Sequence, residues 1–334
     1  MAVSVRSFAK INVGLAIGAK RDDGFHALRT IYQTIAIHDV IKVDAQRGTG
    51  GTGIEIRCKD TRVPDDESNT CYRVADRVLR SLKERAKVVI QIEKNLPVQG
   101  GIGGGSSNAI ATMFALERAL KVELAPSERL RIASEVGSDL PLFLLGGTVL
   151  GCGRGEEVYP LPDLPPLACV VITPAVAVST PQAFRDWDAM VAAGSADGNA
   201  SSGRELTQSG AFDTMTKFSH AAFEWLSGKS LSGVPAESGD RAETLLLDLV
   251  RAGIENDFER VVFSQIPELR DLKRALEREG ASYSSLSGSG STLYGFFRSL
   301  QAAEEAVEHL RAAGIAALAT ETLPRSSYRE QMFV

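Results

Sequence analysis

A glycine-rich stretch near residue 100 has the composition of a phosphate-binding loop. The chain reads PVQGGIGGGSSNA from Pro97, with five glycines among the six residues from Gly100 to Gly105 and two serines directly after them. Bare backbone lets amides approach an anion closely, and the amides at a helix start add attraction. The spacing is nearly that of a nucleotide-binding P-loop, but Ser106 stands where that motif has its lysine. A phosphate held here therefore needs a cation from elsewhere in the chain or from a metal.

A second stretch of small residues, LSGSGST from Leu286 to Thr292, lies between two strand-like runs. In isolation it is typical of a hairpin turn, just as the first glycine run could be a hinge or a tight turn. The first run also fails the dinucleotide pattern GxGxxG, because Ser106 occupies the place of the last glycine. Two such loops in one chain favour a shared polyphosphate site, with the turn and hinge interpretations still open.

The composition of the chain excludes several classes of protein. Its 334 residues carry a net charge of −5, so there is no overall positive field for a nucleic acid and no such partner is expected. No segment approaches eighteen uninterrupted apolar residues, which predicts a cytoplasmic protein without a membrane partner. Four scattered cysteines and four unclustered histidines predict reduced thiols and no cysteine or histidine metal site. We expect a monomer or a homodimer.

The elements that must position the two loops follow from hydrophobic periodicity and capping signals. In the first half, strands are predicted over 3–17 (one or two strands), 40–44, 53–57 and 88–93, and helices from Ser68 or Asn69 to about Arg85, from the serine pair at 106–107, and over 126–136. The glycine stretch thus joins a strand to a helix N-terminus.

The second half is predicted to form a smaller α+β unit. A polar segment rich in glycine and proline suggests a domain boundary near 158, giving domains 1–158 and 159–334. A shift to Gly, Ser, Ala and Asp between about 187 and 240 suggests an inserted segment. Strands are predicted over 168–173, on both sides of LSGSGST and over 315–320, and helices around 243–251, 266–279 and 299–313.

Four separated blocks resemble one superfamily of small-molecule kinases. They are AKINVGLAIGAKRDDGFHALRTI from Ala9, LPVQGGIGGGSSNA from Leu96, GSDLPLFLLGGTVLGCGRGE from Gly137 and LSGSGST from Leu286. The superfamily contains galactokinase, homoserine kinase, mevalonate kinase and phosphomevalonate kinase, and the blocks look most like its branch that acts on 4-diphosphocytidyl-2-C-methyl-D-erythritol. The resemblance implies an α+β fold with an N-terminal ribosomal-protein-S5-like α/β domain and a C-terminal ferredoxin-like α+β domain.

The sequence departs from that branch at a few places. Phe25 replaces the family's tyrosine, which leaves ring stacking possible without the hydroxyl, and Ser138 replaces an alanine. The segment over 187–240 is several tens of residues longer than usual. These differences affect the substrate side more than the chemistry.

The resemblance implies ATP and Mg²⁺ as cofactors and transfer of the γ-phosphoryl group to the 2-hydroxyl of a cytidine diphosphate sugar alcohol. Ser107 is implied as a metal contact. The implied ATP-binding residues are Pro97, Gly100, Gly101, Ile102, Gly103, Gly104, Gly105, Ser106, Ser107, Gly288, Ser289 and Gly290.

The same resemblance implies roles for individual side chains. Asp139 matches the family's catalytic carboxylate and Lys10 its cationic partner. The implied substrate-binding residues are Asn12, Phe25, His26, Thr180 and Phe184, with His26 on the cytosine and the two phenylalanines stacking. The residues alone also allow simpler roles: Asp139 as a helix cap, Lys10 as a solvated strand-end charge, and the aromatic residues and His26 as ordinary core.

Two other functions stay open at this point. One is a sister kinase of the superfamily that acts on mevalonate or homoserine, against which DGFH and GGGSSN argue because they belong to the cytidyl branch. The other is a nucleotide-binding regulator without catalysis, which intact Lys10 and Asp139 disfavour.

Overall fold

Two β-sheets form the frame of the molecule. The computed structural model describes residues 2–48, 50–98, 100–196, 215–222 and 254–334. The predicted helix over 243–251 and most of the predicted insertion over 187–240 lie outside these residues. Among the described residues, no helix combines the length and the apolar character needed to cross a membrane.

The first sheet has six strands, in the order β3-β4-β2-β5-β6 with β1 paired to β2. The strands are β1 (Val3–Lys20), β2 (His26–Arg47), β3 (Gly53–Cys58), β4 (Ala86–Glu93), β5 (Thr148–Cys152) and β6 (Glu157–Pro160). The predicted strand over 40–44 proved to be part of the much longer β2. The first predicted strand is one continuous strand whose pairing with β2 shifts register between Phe8 and Ala9 and again between Asn12 and Leu15.

Four helices accompany this sheet: α1 (Thr70–Leu82), α2 (Gly104–Leu120), α3 (Pro126–Val136) and α4 (Leu140–Leu145). Asn69 caps α1 by accepting a 2.8 Å hydrogen bond from the amide of Cys71. The α1 helix ends before the predicted Arg85, because Lys83 adopts a left-handed conformation with φ 55°. The α2 helix starts two residues before the serine pair, because Gly103 takes the cap position with φ 72°.

The second sheet has four antiparallel strands in the order β10-β7-β9-β8. They are β7 (Ala168–Ile172), β8 (Tyr283–Leu286), β9 (Leu293–Phe297) and β10 (Ala317–Glu321). The helices of this part are α5 (Thr180–Ala196), α6 (Phe258–Gln265), α7 (Pro267–Arg278), α8 (Leu300–Ala312) and α9 (Arg325–Gln331), with helical residues also at 215–222. The predicted α+β fold is confirmed.

The two sheets share a buried apolar layer through β1. Ala9, Ile11 and Val13 pack into the same cluster as Val171 of β7 and Phe296 of β9. Successive side chains of a strand point to opposite faces, so the polar residues between them in sequence lie on the other face. The strand β1 therefore supplies core on one side and polar groups on the other.

The chain passes from the first sheet to the second between Pro160 and Ala168, a few residues after the boundary predicted near 158. The C-terminal residues return to the first sheet, where Tyr328 and Met332 pack into its core. The division into 1–158 and 159–334 stays a prediction. The helix α9 belongs to the second predicted domain by sequence, but its Tyr328 packs against the first sheet.

Candidate active site

The two predicted loops lie against each other. The amide of Thr292 donates to the carbonyl of Gly100 at 2.9 Å, and the Ser287 hydroxyl donates to the carbonyl of Gly101 at 3.0 Å. A Cβ on Gly101, whose φ is +84°, would lie 2.3 Å from the Ser287 carbonyl oxygen. Glycine is therefore required at this contact by both conformation and space.

The second loop also satisfies its simpler interpretation as a hairpin turn. It joins β8 to the antiparallel β9, and the amide of Ser287 donates to the carbonyl of Thr292 at 2.9 Å. The turn and the contact with the glycine loop coexist, because Ser287 and Thr292, which close the turn, also donate hydrogen bonds to the carbonyls of Gly101 and Gly100.

A cavity of about 420 Å³ opens between the glycine loop and the start of α1. The residues of the predicted ATP set that line it are Pro97, Gly101, Ile102, Gly103, Gly104, Gly105 and Ser106. Asp139 lines the same cavity, whereas Asn69 and Thr70 close it from the α1 side. The volume lies within the range of small-molecule sites, and the lining includes the amides at the N-terminus of α2.

Lys10 and Asp139 form an ion pair beside this cavity, which Asp139 lines and Lys10 does not. Lys10, which is only 2% exposed, places its Nζ 3.3 Å from Asp139 Oδ2. A Cβ on Gly103 would lie 3.0 Å from Lys10 Cγ, so the lysine stem packs directly under the glycine loop. Asp139 stands at the cap position of α4, yet its side chain makes no capping hydrogen bond. The helix-cap and solvated-charge interpretations of these two residues do not describe their contacts.

Tyr32 of β2 is a third member of this cluster. Its hydroxyl donates a 3.1 Å hydrogen bond to Asp139 Oδ1, and Lys10 Nζ lies 5.6 Å from its ring centre. Burial first, and then the charge of Asp139, raise the pKa of Tyr32 well above its usual range. The phenol therefore stays protonated and donates to the carboxylate.

Two glycines make room for the Tyr32 side chain. A Cβ on Gly151 would lie 2.4 Å from the Tyr32 ring, and one on Gly155, whose φ is +106°, would lie 2.5 Å from the hydroxyl oxygen. Sequence reasoning missed Tyr32, because only the pairing of β2 with β5 brings this part of β2 toward Gly151.

Asn12 connects the lysine to the second loop. Its Oδ1 accepts a 2.6 Å hydrogen bond from Lys10 Nζ, and its Nδ2 donates to Thr30 Oγ1 at 2.9 Å. A Cβ on Gly288 would lie 3.3 Å from Asn12 Oδ1 and 3.7 Å from Lys10 Nζ. Lys10 and Asn12 lie two residues apart on β1, which places them on one face of the strand.

A buried carboxylate organises the entry to the glycine loop. Asp39, with 0% exposure, accepts hydrogen bonds from Lys94 Nζ at 2.7 Å and from the amides of Asn95 and Leu96, each at 2.7 Å. It also accepts from Asn108 Nδ2 of α2 at 2.9 Å. Asp39 thus fixes the chain both before and after the glycines.

Lys94 supplies a cation beside the glycine loop that the sequence motif lacks. It lines the cavity, and its Nζ would lie 3.4 Å from a Cβ on Gly104. Sequence reasoning expected this help from Lys10 and a metal and overlooked Lys94, which stands two residues before the loop motif.

The second loop is held by residues just ahead of and within α6. Asn256 Nδ2 donates to the carbonyls of Leu286 and Gly288 at 2.7 and 2.8 Å. Glu259 accepts from the amide of Leu286 and the hydroxyl of Ser285, both at 2.8 Å. These residues were also missed, since their partners lie about thirty positions later in the chain.

The predicted cytidine residues divide into two groups. His26 stacks on Phe184, with ring centres 5.0 Å apart and planes 7° from parallel. Phe25 lies outside this stack: it is 53% exposed, and the Arg154 guanidinium lies 5.0 Å from its ring centre. The exposure of Phe25 contradicts its interpretation as ordinary core. Stacking of Phe25 and Phe184 on a cytosine base stays a prediction.

Thr180 lies at the second loop. Its hydroxyl shares a 2.7 Å hydrogen bond with the hydroxyl of Ser289, so a predicted substrate residue contacts a predicted ATP residue. This contact ties the first turn of α5 to the loop between β8 and β9.

The groups around the cavity bear on its fit to ATP and Mg²⁺. The amides at the start of α2 and the Lys94 ammonium, which lie at the cavity wall, suit a polyphosphate. The described residues contain no group of three or more His, Cys, Asp or Glu side chains placed to hold a metal. Mg²⁺ that accompanies a nucleotide is typically held by phosphate oxygens, waters and one or two carboxylates. The Ser107 hydroxyl is buried and accepts from Ser7 at 2.7 Å, and the cavity lining includes Ser106 but not Ser107.

Comparison with known proteins relates both halves of the chain to one group. The model described as the GHMP kinases N terminal domain matches residues 69–147, and the GHMP kinases C terminal model matches residues 241–316. A 4-diphosphocytidyl-2-C-methyl-D-erythritol kinase of Solibacter usitatus (strain Ellin6076) is 37% identical over 307 residues, which cover 92% of this chain and 84% of the relative.

Two solved structures resemble this chain equally in fold but differ in sequence identity to it. A crystal structure of a 4-(cytidine 5'-diphospho)-2C-methyl-D-erythritol kinase is 26% identical with a TM-score of 0.68, covering 96% of this chain and 98% of that chain. A mevalonate kinase of L. major, in complex with R-mevalonate, has the same TM-score of 0.68 at 17% identity, covering 96% of each chain. The second likeness shows the fold alone.

Proposed function

The chain belongs to the 4-diphosphocytidyl-2-C-methyl-D-erythritol kinases within the GHMP kinases, and from this premise we propose how its residues carry out the reaction. The activity is the ATP-dependent phosphorylation of the 2-hydroxyl of 4-diphosphocytidyl-2-C-methyl-D-erythritol, giving the 2-phosphate and ADP in the non-mevalonate isoprenoid pathway. The observation that carries the assignment of roles is the Lys10 and Asp139 pair at the cavity below the glycine loop.

The glycine loop binds the nucleotide phosphates. Amides from Gly101 to Ser106 present donors, and Lys94 adds a positive charge beside Gly104. The amide of Ser107 already donates to the carbonyl of Gly103 at 2.8 Å. Residues 288–290 do not line the cavity, and their role as the facing wall is supported by the closeness of Gly288 to Lys10 and Gly101. When bound with the nucleotide, Mg²⁺ would neutralise part of the phosphate charge. A contact between Ser107 and the metal stays a prediction, and Ser106, on the cavity wall, is the better-placed hydroxyl.

Asp139 orients the acceptor and takes its proton. The 2-hydroxyl oxygen attacks the γ-phosphorus, the bond from that phosphorus to the bridging oxygen breaks, and ADP leaves with the bonding electrons. A carboxylate is a weak base for an alcohol, so the proton passes to Asp139 late, as the new P–O bond forms. Each Asp139 oxygen has one protein partner, Tyr32 or Lys10, and keeps a lone pair for the substrate.

Lys10 acts on the transferred group. Its Nζ lies between Asp139 Oδ2 and Asn12 Oδ1 and close to Gly288, where it faces both loops. A fixed ammonium in a buried position stabilises the charge that spreads over the phosphoryl oxygens in the transition state. Asn12 holds this ammonium in place and contacts the substrate side of the site.

The cytidine end binds at the start of β2. His26, at 7% exposure, carries the recognition of the base, with Phe184 against its face. Exposed Phe25 stacks on the cytosine base, or on another part of the cytidine nucleotide, from the solvent side. A base stacked on an aromatic ring contributes about 1–3 kcal/mol of binding free energy. Thr180 positions substrate near the second loop.

An acceptor panel tests this assignment. The full chain is assayed with ATP and Mg²⁺ in a coupled ADP assay, with 4-diphosphocytidyl-2-C-methyl-D-erythritol, mevalonate or homoserine as acceptor. Turnover with the cytidyl acceptor alone is the expected result. Turnover with mevalonate or homoserine instead would assign the chain to a sister activity, and ATP binding without transfer to any acceptor would make it a regulator.

A further inference from the structure

The helix α5 presents two side chains to His26. Phe184 and Asp188 are four residues apart, which places them on one face of the helix. Phe184 covers a face of the imidazole, and Asp188 Oδ1 lies 2.7 Å from its Nε2 at the ring edge. The ring is thus fixed both in plane and in rotation.

The contact with Asp188 determines where the imidazole carries its proton. A carboxylate only accepts hydrogen bonds, so Nε2 must be the N–H donor in this 2.7 Å contact. In the neutral imidazole the lone pair is then on Nδ1, which becomes an acceptor. Asp188 also lies 3.7 Å from Lys20 Nζ, an exposed pairing that leaves Oδ1 to the histidine.

An acceptor nitrogen distinguishes the two common pyrimidines. Cytosine carries an exocyclic amino group, a donor, at the ring position where uracil carries a carbonyl oxygen, an acceptor. Nδ1 as an acceptor pairs with the amino group and opposes the carbonyl, which would leave two acceptors facing each other.

We propose that Asp188 is a positioning residue that holds His26 in the Nε2–H tautomer and thereby makes the site prefer cytosine to uracil. This inference rests on the proposed function, in that His26 contacts the base. The proposal gives α5 a role in substrate choice through Asp188. The predicted site residues on this helix, Thr180 and Phe184, do not provide that role.

The tautomer can be measured without activity. Nitrogen-15 NMR of the full chain at a pH where imidazole is neutral reports protonation at each ring nitrogen, with the His26 signals identified by their loss in the His26→Gln variant. Wild type should show protonated Nε2 and unprotonated Nδ1, and Asp188→Ala should show a mixture of tautomers. A protonated Nδ1 in wild type, or an unchanged Nε2–H form in Asp188→Ala, would overturn the proposal.

The selectivity is measured with CDP and UDP as probes in titration calorimetry. Wild type should bind CDP at least about tenfold more tightly than UDP, and Asp188→Ala should lose most of that ratio, since one misplaced hydrogen bond is worth about a factor of ten. Asp186→Asn, an acid-to-amide change two residues away on α5, is the matched control and should keep the ratio.

The binding ratios of wild type and Asp188→Ala separate the role of Asp188 from the contact between His26 and the base. Preference for CDP that survives in Asp188→Ala contradicts the role of Asp188 and leaves the kinase assignment intact. Equal or no binding of CDP and UDP by wild type contradicts base selection at His26, and the acceptor panel then decides the activity on its own.

Discussion

Lys10 Nζ lies 3.3 Å from Asp139 Oδ2, joining the first strand to the cap position of a short helix 129 residues later. The pair sits under the glycine loop and is completed by the Tyr32 hydroxyl on the other carboxylate oxygen. The chemistry of the site therefore depends on three elements that meet only in the folded chain.

Replacing Asp139 with asparagine should remove the proposed proton acceptor while keeping the shape of the side chain. We expect kcat to fall by about 10² to 10⁴ with KM for ATP within a few-fold, because general base catalysis typically contributes that much. The coupled ADP assay measures both constants. Asp76→Asn, at a partly exposed acid paired with Arg80 on α1, is the control and should be fully active. Normal turnover in Asp139→Asn would contradict the assigned role.

The Tyr32→Phe variant tests the donor to the carboxylate. Loss of a hydrogen bond to a charged group costs roughly 1.5–3 kcal/mol, so kcat should fall at least about tenfold while the ring still fills its place beside Gly151. Tyr159→Phe, on an exposed side chain, should change nothing.

Tyr32→Phe also tests how the reaction rate depends on pH. Burial and the Asp139 charge raise the Tyr32 pKa, so the donating, protonated form would be lost only as the pH rises through that raised value. Wild type and Tyr32→Phe should therefore show parallel rate profiles up to about pH 10, the ordinary tyrosine pKa. An alkaline fall in wild type that is absent from Tyr32→Phe would show that the phenol titrates.

The contact between the two loops can be tested at Gly101. Alanine there meets the Ser287 carbonyl at 2.3 Å in addition to the strain of φ +84°, so the free energy of unfolding should fall by about 2–4 kcal/mol and KM for ATP should rise. Gly280→Ala separates the two causes, because its φ is +94° but its Cβ meets nothing within 4 Å; a loss of about 1–2 kcal/mol is expected. Equal losses in chemical denaturation would mean that the loop contact adds nothing.

The buried pair of Asp39 and Lys94 should matter far more than its exposed neighbour. Asp39→Asn leaves the Lys94 ammonium, 8% exposed, without its carboxylate, which should cost about 3–5 kcal/mol in the free energy of unfolding and raise KM for ATP. Glu93, one residue before Lys94, forms a half-exposed ion pair with Lys42. Glu93→Gln breaks this pair and should lower the free energy of unfolding by less than about 1 kcal/mol. Denaturant titration and ATP kinetics on both variants provide the comparison.

Thiol reactivity should divide the four free cysteines into two pairs. Burial raises the pKa of Cys71 to about 12, and raises that of Cys169 further, so neither forms thiolate at pH 8. Cys58 and Cys152, which are partly exposed, should react with iodoacetamide in the native protein, and all four should react after denaturation. Peptide mass spectrometry reads each site, and early labelling of Cys71 or Cys169 would show that the core opens.

The sequence by itself determined the local chemistry. Glycine content, strand or helix periodicity and capping residues depend on near neighbours, which is why the two loops and a helix cap at Ser68 or Asn69 could be predicted from short stretches. The roles of Lys10 and Asn12 were implied only by the resemblance of the block that begins at Ala9. The start of α2 was misplaced by two residues, because Gly103 and Gly104 have no side chain that marks a cap.

Only the tertiary structure decided which distant groups meet. Tyr32 reaches Asp139 across 107 positions, Asp39 reaches Lys94 across 55, and Asp188 reaches His26 across 162. Each contact depends on strand pairing or helix packing, and a shift of one residue in a strand would turn its side chain to the opposite face. Because long-range register carries no local signal, the partners that tune the site came from the fold.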